Sequence, residues 1–84
     1  MNAERRVSRV RAAVAAPSPD CRPDWVPLAE VARALGHGDR FAWHNAEQIW
    51  DEIRAAWPAA QGMAWRRLEQ QGLQWPCPNE DHPG

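Results

Sequence analysis

The sequence predicts a mainly α-helical chain, with about three short helices between an extended N-terminal segment and an extended, proline-rich C-terminal tail. Three observations carry this expectation. Asn45 precedes an apolar stripe of helical period that stops at Pro58, a second stripe runs from Trp25 to Leu35 and stops at Gly36, and prolines crowd the flanks. The chain divides accordingly into residues 1–23, an extended segment and Pro-rich linker; 24–72, a small helical region; and 73–84, a tail carrying Trp75-Pro-Cys-Pro78.

At the start, Val7, Val10 and Val14 suit a helix by spacing, whereas the β-branched Val7 and Val10 suit a strand, so local pattern leaves both open. Ala16–Pro23 carries three prolines in eight residues and reads as an irregular linker. Pro23 or Asp24 then opens a helix through Leu35. Pro27 is tolerated in its first turn, and Gly36 suits the left-handed position just past its end. Trp25, Leu28, Ala29, Ala32 and Leu35 mark its expected buried face, which Val31 widens.

A loop over 36–44 leads to the clearest helix, Asn45–Trp57. Asn45 can cap free N–H groups of the first turn, Gln48 can reach back in a capping box, and Glu47 sits favourably at the positive helix end. Ala46, Ile49, Trp50, Ile53 and Trp57 form the expected inward stripe, with Asp51, Glu52 and Arg54 facing solvent. A last short helix is expected over Ala64–Gln70, with Trp65 and Leu68 inward and Gly72 ending it. From Leu73 onward the prolines favour extended chain.

Composition narrows the function. An 84-residue chain allows one small domain, and its mean hydropathy of -0.70 is low for a compact one. Much of the 44% hydrophobic content is alanine; the larger apolar mass lies in six tryptophans that need a surface to pack on. Net charge is -1, with ten arginines and no lysine, which lacks the basic field that neutralises a phosphate backbone and argues against a nucleic-acid partner. No signal peptide or apolar span is visible, so a cytoplasmic chain with no membrane partner is expected. Cys21 and Cys77 are too far apart in sequence for a C-x-x-C motif, and a reducing compartment would keep them as free thiols.

Among chemistry-bearing residues, Glu4, Arg5 and Arg6 are the most suggestive cluster, because guanidinium forks bind phosphate or carboxylate through paired hydrogen bonds. An ion-pair brace is the plainer role for the same three residues. His37, His44, Cys77 and His82 have no zinc-like spacing, and no metal site is expected from them. Cys77 lies in a rigid proline frame but lacks an adjacent base that would activate it as a nucleophile. Asp51-Glu52 and Glu80-Asp81 are adjacent pairs; neighbouring helical side chains diverge by about 100° and cannot share one substrate. The tryptophans favour packing over an aromatic cage, since Trp50 and Trp57 share one helical stripe. No residue is assigned a catalytic role.

Asn2-Ala-Glu-Arg-Arg6, Arg22-Pro-Asp-Trp25, Ala46-Glu-Gln-Ile-Trp-Asp-Glu-Ile53 and Gly72-Leu-Gln-Trp-Pro-Cys77 occur in an order that resembles the catalytic (alpha) subunit of molybdopterin oxidoreductases. Molybdenum formate dehydrogenases are the nearest resemblance, with nitrate reductases next. The likeness runs from Asn2 to Gly84 and implies an internal piece of a larger α/β enzyme, entered through an extended segment. It further implies a parent that oxidises formate to carbon dioxide, or reduces nitrate, at molybdenum or tungsten held by molybdopterin guanine dinucleotide, with iron–sulfur clusters carrying electrons. Glu4, Arg5 and Arg6 would then lie on the cofactor side, holding the dinucleotide or bracing the part that does.

The family's cluster cysteines, metal ligand, catalytic His and Arg and dinucleotide loops have no counterparts in this sequence. The expectation is therefore a fragment without activity or cofactor of its own, whose partner is the remainder of a molybdopterin oxidoreductase subunit or another protein. The alternative is a small autonomous Trp-rich helical interaction module.

Overall fold

Asn2 folds the start of the chain into a turn: its side-chain Oδ1 accepts from the amides of Glu4 and Arg6 at 3.0 and 2.9 Å. Arg5 takes the left-handed conformation this turn requires, with φ of 61°. The computed structural model describes Met1–Gly84, and in it Arg6–Val7 leaves the turn as strand β1. Its partner is strand β2, Leu73–Gln74, antiparallel, with Arg6 opposite Gln74 and Val7 opposite Leu73. The β-branched reading of Val7 thus prevails, because a strand lets it reach a non-local partner that a local helix would not meet.

Residues Met1–Arg11 and Asn45–Gly84 form one compact unit and Ala12–His44 a second. In the second, helix α1 spans Trp25–Ala34. Gly36, at φ of 83°, ends it in a Schellman arrangement: the His37 amide donates to Ala32 O at 2.8 Å and the Gly36 amide to Arg33 O at 3.1 Å. Asp24 stands at the N-cap but makes no side-chain capping bond. Arg22 pairs with Glu30 at 2.7 Å, and a 3-10 turn, Gly38–Arg40, follows.

The face expected to be buried on α1 is only partly so. Ala29 and Ala32 are covered and Trp25 is half-buried, whereas Leu28, Val31 and Leu35 remain 65%, 58% and 71% exposed. The reason is the makeup of this unit. One helix and one 3-10 turn provide no second layer broad enough for the bulky side chains, so only the small residues find cover.

In the first unit, helix α2 spans Ala46–Ala56, capped by Asn45 Oδ1 accepting from the Gln48 amide at 2.9 Å. Pro58 ends it and starts a 3-10 turn, Pro58–Ala60. Its inward stripe is shallower than the periodicity predicts. No residue of α2 is fully buried, Ile53 is 44% exposed and Ala46 is exposed, while Ile49, Trp50 and Trp57 are half-covered. Arg54, expected in solvent, is half-buried instead, because its guanidinium folds onto Gln61 O at 2.6 Å and Asp51 at 2.7 Å.

The core lies beyond α2, in Ala60, Met63, Leu68, Leu73 and Cys77, with Val7, Trp50, Trp57 and Trp75 packed around it. Helix α3, Trp65–Gln70, supplies Leu68. Gly72 does not end this helix in a left-handed turn; Gln71 leaves it in extended backbone. What Gly72 provides is clearance, since a Cβ there would stand 2.6 Å from Ser8 Oγ and 2.9 Å from Arg6 Cδ.

Candidate functional site

The β1–β2 pairing carries the sequence-predicted trio Glu4, Arg5 and Arg6 onto the segment that holds Trp75. Arg5 O accepts from the Trp75 amide at 2.9 Å, and Glu4 O accepts from Gln74 Nε2 at 3.2 Å. The two arginine side chains then take separate partners. Arg6 Nη1 donates to Gly72 O at 2.9 Å, and the Arg5 guanidinium lies 5.9 Å from the centre of the Trp75 ring, within cation–π range. Arg6 is thereby committed inside the chain, and the trio does not present two free forks to one anion.

Trp75 links this corner to the core. Its ring stacks on Trp57 at 6.1 Å and 28°, while its indole N–H is buried without a hydrogen-bond partner. Trp50 differs: its indole N–H donates to Met63 O at 2.7 Å, as a buried indole ordinarily requires. The Trp75–Pro76 peptide is cis.

Arg67 organises the other side of the tail. Nη1 donates to Gly62 O at 2.6 Å and lies 3.4 Å from Cys77 Sγ, and Nη2 donates to His82 O at 2.7 Å. Cys77 is fully buried, and its own backbone is tied by N–H to Ala59 O and by C=O to the Gly62 amide, both at 2.8 Å. Gly62 makes this possible, because a Cβ would stand 2.0 Å from Asn79 O and 2.8 Å from Cys77 O. The thiol therefore faces carbonyls and a guanidinium that is itself occupied, with no base in place to deprotonate it.

The remaining candidates are dispersed. Asp51 is taken by Arg54 and Glu80 by Arg66, so neither adjacent carboxylate pair offers two free groups. No group of three His, Cys, Asp or Glu side chains stands where it could hold a metal ion. Cys21 is an exposed free thiol and Cys77 a buried one. His82 spends Nδ1 accepting from the Gly84 amide at 3.1 Å.

Two arginines that sequence reading did not single out hold much of this corner. Arg67 is one; the second is Arg9, which lies 4.5 Å over Trp65 and pairs with Glu69. Arg67 stands next to Arg66 in Arg66-Arg-Leu-Glu69, and nothing local marks which of the two adjacent arginines turns inward. The Arg9–Trp65 contact is non-local and carries no sequence signal at all.

Curated relatives of this arrangement exist. The chain is 42% identical over 83 residues to the F420-dependent formate dehydrogenase 2 subunit alpha of Methanococcus maripaludis, covering 99% of this chain and 12% of that subunit. It is 36% identical over 88 residues to the assimilatory nitrate reductase catalytic subunit of Bacillus subtilis, covering 99% and 12%. With the periplasmic nitrate reductase of Desulfovibrio desulfuricans it shares 41% over 87 residues, covering 96% and 11%. The chain thus spans about 12% of the length of the curated relatives it matches. No family model matches it, and no solved structure does. No helix is long and apolar enough to cross a membrane.

Proposed function

We propose that this chain, which is homologous to an 83-residue segment of the catalytic subunits of molybdopterin oxidoreductases, serves as a scaffold segment of a formate-dehydrogenase-like subunit and has no activity by itself. The single observation that carries this reading is the end-to-end likeness, 99% of the chain, to formate dehydrogenase and nitrate reductase subunits alike. A segment shared by enzymes with different substrates fits a scaffold role better than a substrate site.

In this reading residues 1–23 bring the polypeptide in, 24–72 form its helical region and 73–84 carry it out. The parent would oxidise formate to carbon dioxide in the cytoplasm, at molybdenum or tungsten held by molybdopterin guanine dinucleotide, with an iron–sulfur cluster carrying the released electrons away. The periplasmic relative makes the periplasm the competing location. Glu4, Arg5 and Arg6 act as a brace: with Arg6 engaged by Gly72 O and Arg5 over Trp75, they do not fit a dinucleotide cradle. No chemical step is assigned to them.

The test is a chimera in which this chain replaces the aligned 83 residues of the Methanococcus maripaludis alpha subunit. The expected result is a folded, formate-oxidising subunit, with the isolated chain inactive in the same assay. A chimera that misfolds, or formate oxidation by the isolated chain, overturns the reading. The second reading, an autonomous Trp-rich helical interaction module, is favoured by the exposed leucines of α1. It requires a partner outside this subunit type and a chimera that fails.

A further inference from the structure

No backbone hydrogen bond ties residues 78–84 to the rest of their unit. The last such ties are those of Cys77 to Ala59 and Gly62; beyond them the one backbone bond, from the His82 amide to Asn79 O at 3.2 Å, closes the segment on itself. Its own side chains do the same. Asn79 Oδ1 accepts from the His82 amide at 3.0 Å, and His82 Nδ1 accepts from the Gly84 amide at 3.1 Å. His82 and Gly84 are half-buried and the other five residues are exposed, so little burial holds the segment down. Two arginines of α3 do so instead: Arg67 Nη2 donates to His82 O at 2.7 Å, and Arg66 pairs with Glu80. Beneath lie two core residues, Cys77 at 0% and Leu73 at 1% exposure. Asn79 O and His82 O each stand 3.7 Å from Cys77 Sγ, and Gly84 rests so closely on Leu73 that a Cβ would be 2.8 Å from its Cδ2.

We propose that residues 78–84 form a strap, latched by Arg67 and Arg66, that opens as one piece about Cys77 and uncovers its thiol while α2, α3 and the β1–β2 pairing stay folded. The inference concerns contacts within this chain and stands apart from the scaffold reading. Opening breaks the two latches and uncovers Leu73, but it keeps the Asn45 cap, the Trp57–Trp75 stack and the Arg6–Gly72 clamp, all of which unfolding would lose. A segment with few buried apolar contacts and no ladder bonds opens at a lower free energy than the whole domain. Arg67 is the principal latch. Its Nη1 is anchored on Gly62 O at 2.6 Å, so the guanidinium stays in place when the strap leaves and is there to recapture His82 O when it returns. The bond it makes is charge-assisted and part-buried, whereas the Arg66–Glu80 pair is exposed and weaker. Access to Cys77 is thereby controlled by a latch on α3 and not by the stability of the whole chain.

The experiment uses the full 84-residue chain carrying Cys21→Ser, which leaves Cys77 as its one thiol. N-ethylmaleimide labelling is timed at rising urea concentrations below the unfolding transition, and unfolding itself is followed by far-ultraviolet circular dichroism. The labelling rate should climb with urea much less steeply than the unfolding constant, because strap opening exposes far less surface than unfolding does. Arg67→Met should raise the rate in water at least about tenfold, the loss of a hydrogen bond to a charged group. Arg66→Gln touches only Glu80; it should raise the rate by up to about fivefold and leave the urea midpoint where it was. That pattern supports the strap. Labelling whose urea dependence equals that of unfolding overturns it, as does a rate unchanged in both variants or one that rises only in step with a lowered midpoint. Labelling of the folded chain as fast as that of free glutathione would also overturn it, since nothing would then cover the thiol. Should Arg67→Met fail to fold, the urea dependence of the Cys21→Ser chain and the Arg66→Gln rate decide the matter.

Discussion

Arg6 donates to the Gly72 carbonyl at 2.9 Å, joining two positions 66 residues apart. The bond is charge-assisted and partly buried, and it clamps β1 to the start of β2 where a Cβ on Gly72 would already be too close. Arg6→Ala is expected to destabilise the chain by about 1–2 kcal/mol, discounted for partial exposure. Arg6→Lys should recover little of this, because an ammonium does not reproduce the reach of a guanidinium fork. Urea denaturation followed by tryptophan fluorescence measures both; an Arg6→Ala midpoint equal to the unmodified chain's would remove this clamp from the account.

Gly62 is the most closely packed of the chain's glycines, with Asn79 O only 2.0 Å from where a Cβ would be. Backbone atoms cannot yield as a flexible side chain can. Gly62→Ala should therefore cost more than about 3 kcal/mol or prevent folding, as severe overpacking does. Gly36→Ala is the informative comparison. It meets nothing within 4 Å but stands at φ of 83°, so it should cost only about 1–2 kcal/mol, from backbone strain.

The two thiols should react at very different rates. Cys21 is exposed and Cys77 fully buried, so a thiol-specific reagent should label one equivalent quickly and the second only as the chain opens. Arg67→Met removes the donors to Gly62 O and His82 O, which should lower stability by about 2–4 kcal/mol and speed labelling of Cys77. Fast labelling of both thiols in the unmodified chain would contradict the buried position of Cys77.

Trp75 carries a cost in its unpartnered indole N–H. Trp75→Phe deletes that group while keeping an aromatic ring against Trp57, and the gain of about 1–3 kcal/mol from removing a buried orphan donor offsets the lost ring area. A near-neutral change in unfolding midpoint is expected. Trp75→Ala removes the stack as well and should destabilise by about 2–4 kcal/mol, less than for a fully buried tryptophan. Equal losses for the two substitutions would mean that the indole N–H is satisfied after all.

The helices were legible because their signals are local. Asn45 marks a boundary through its side-chain oxygen, and Pro58 and Gly36 through what their own backbone can or cannot do, and all three operate where the spacing puts them. Burial was less legible. Helical period placed Leu28, Leu35, Ala46 and Ile53 inward, yet all four are exposed, since period tells which residues share a side and not whether anything covers it. The real core residues Ala60, Met63, Leu73 and Cys77 lie in turns, strand and tail, where no period operates. Among the site residues, Glu4, Arg5 and Arg6 stood out by composition, but their separate engagement with Gly72 and Trp75 depends on strand pairing across most of the chain. Arg9 and Arg67 were missed for the same reason.

The pairing of Arg6–Val7 with Leu73–Gln74 has a topological consequence. Antiparallel neighbours lie about 5 Å apart, so a polypeptide that enters this unit at β1 returns at β2 to almost the spot where it left. Such a detour adds a lobe to a protein without pushing apart whatever flanks it.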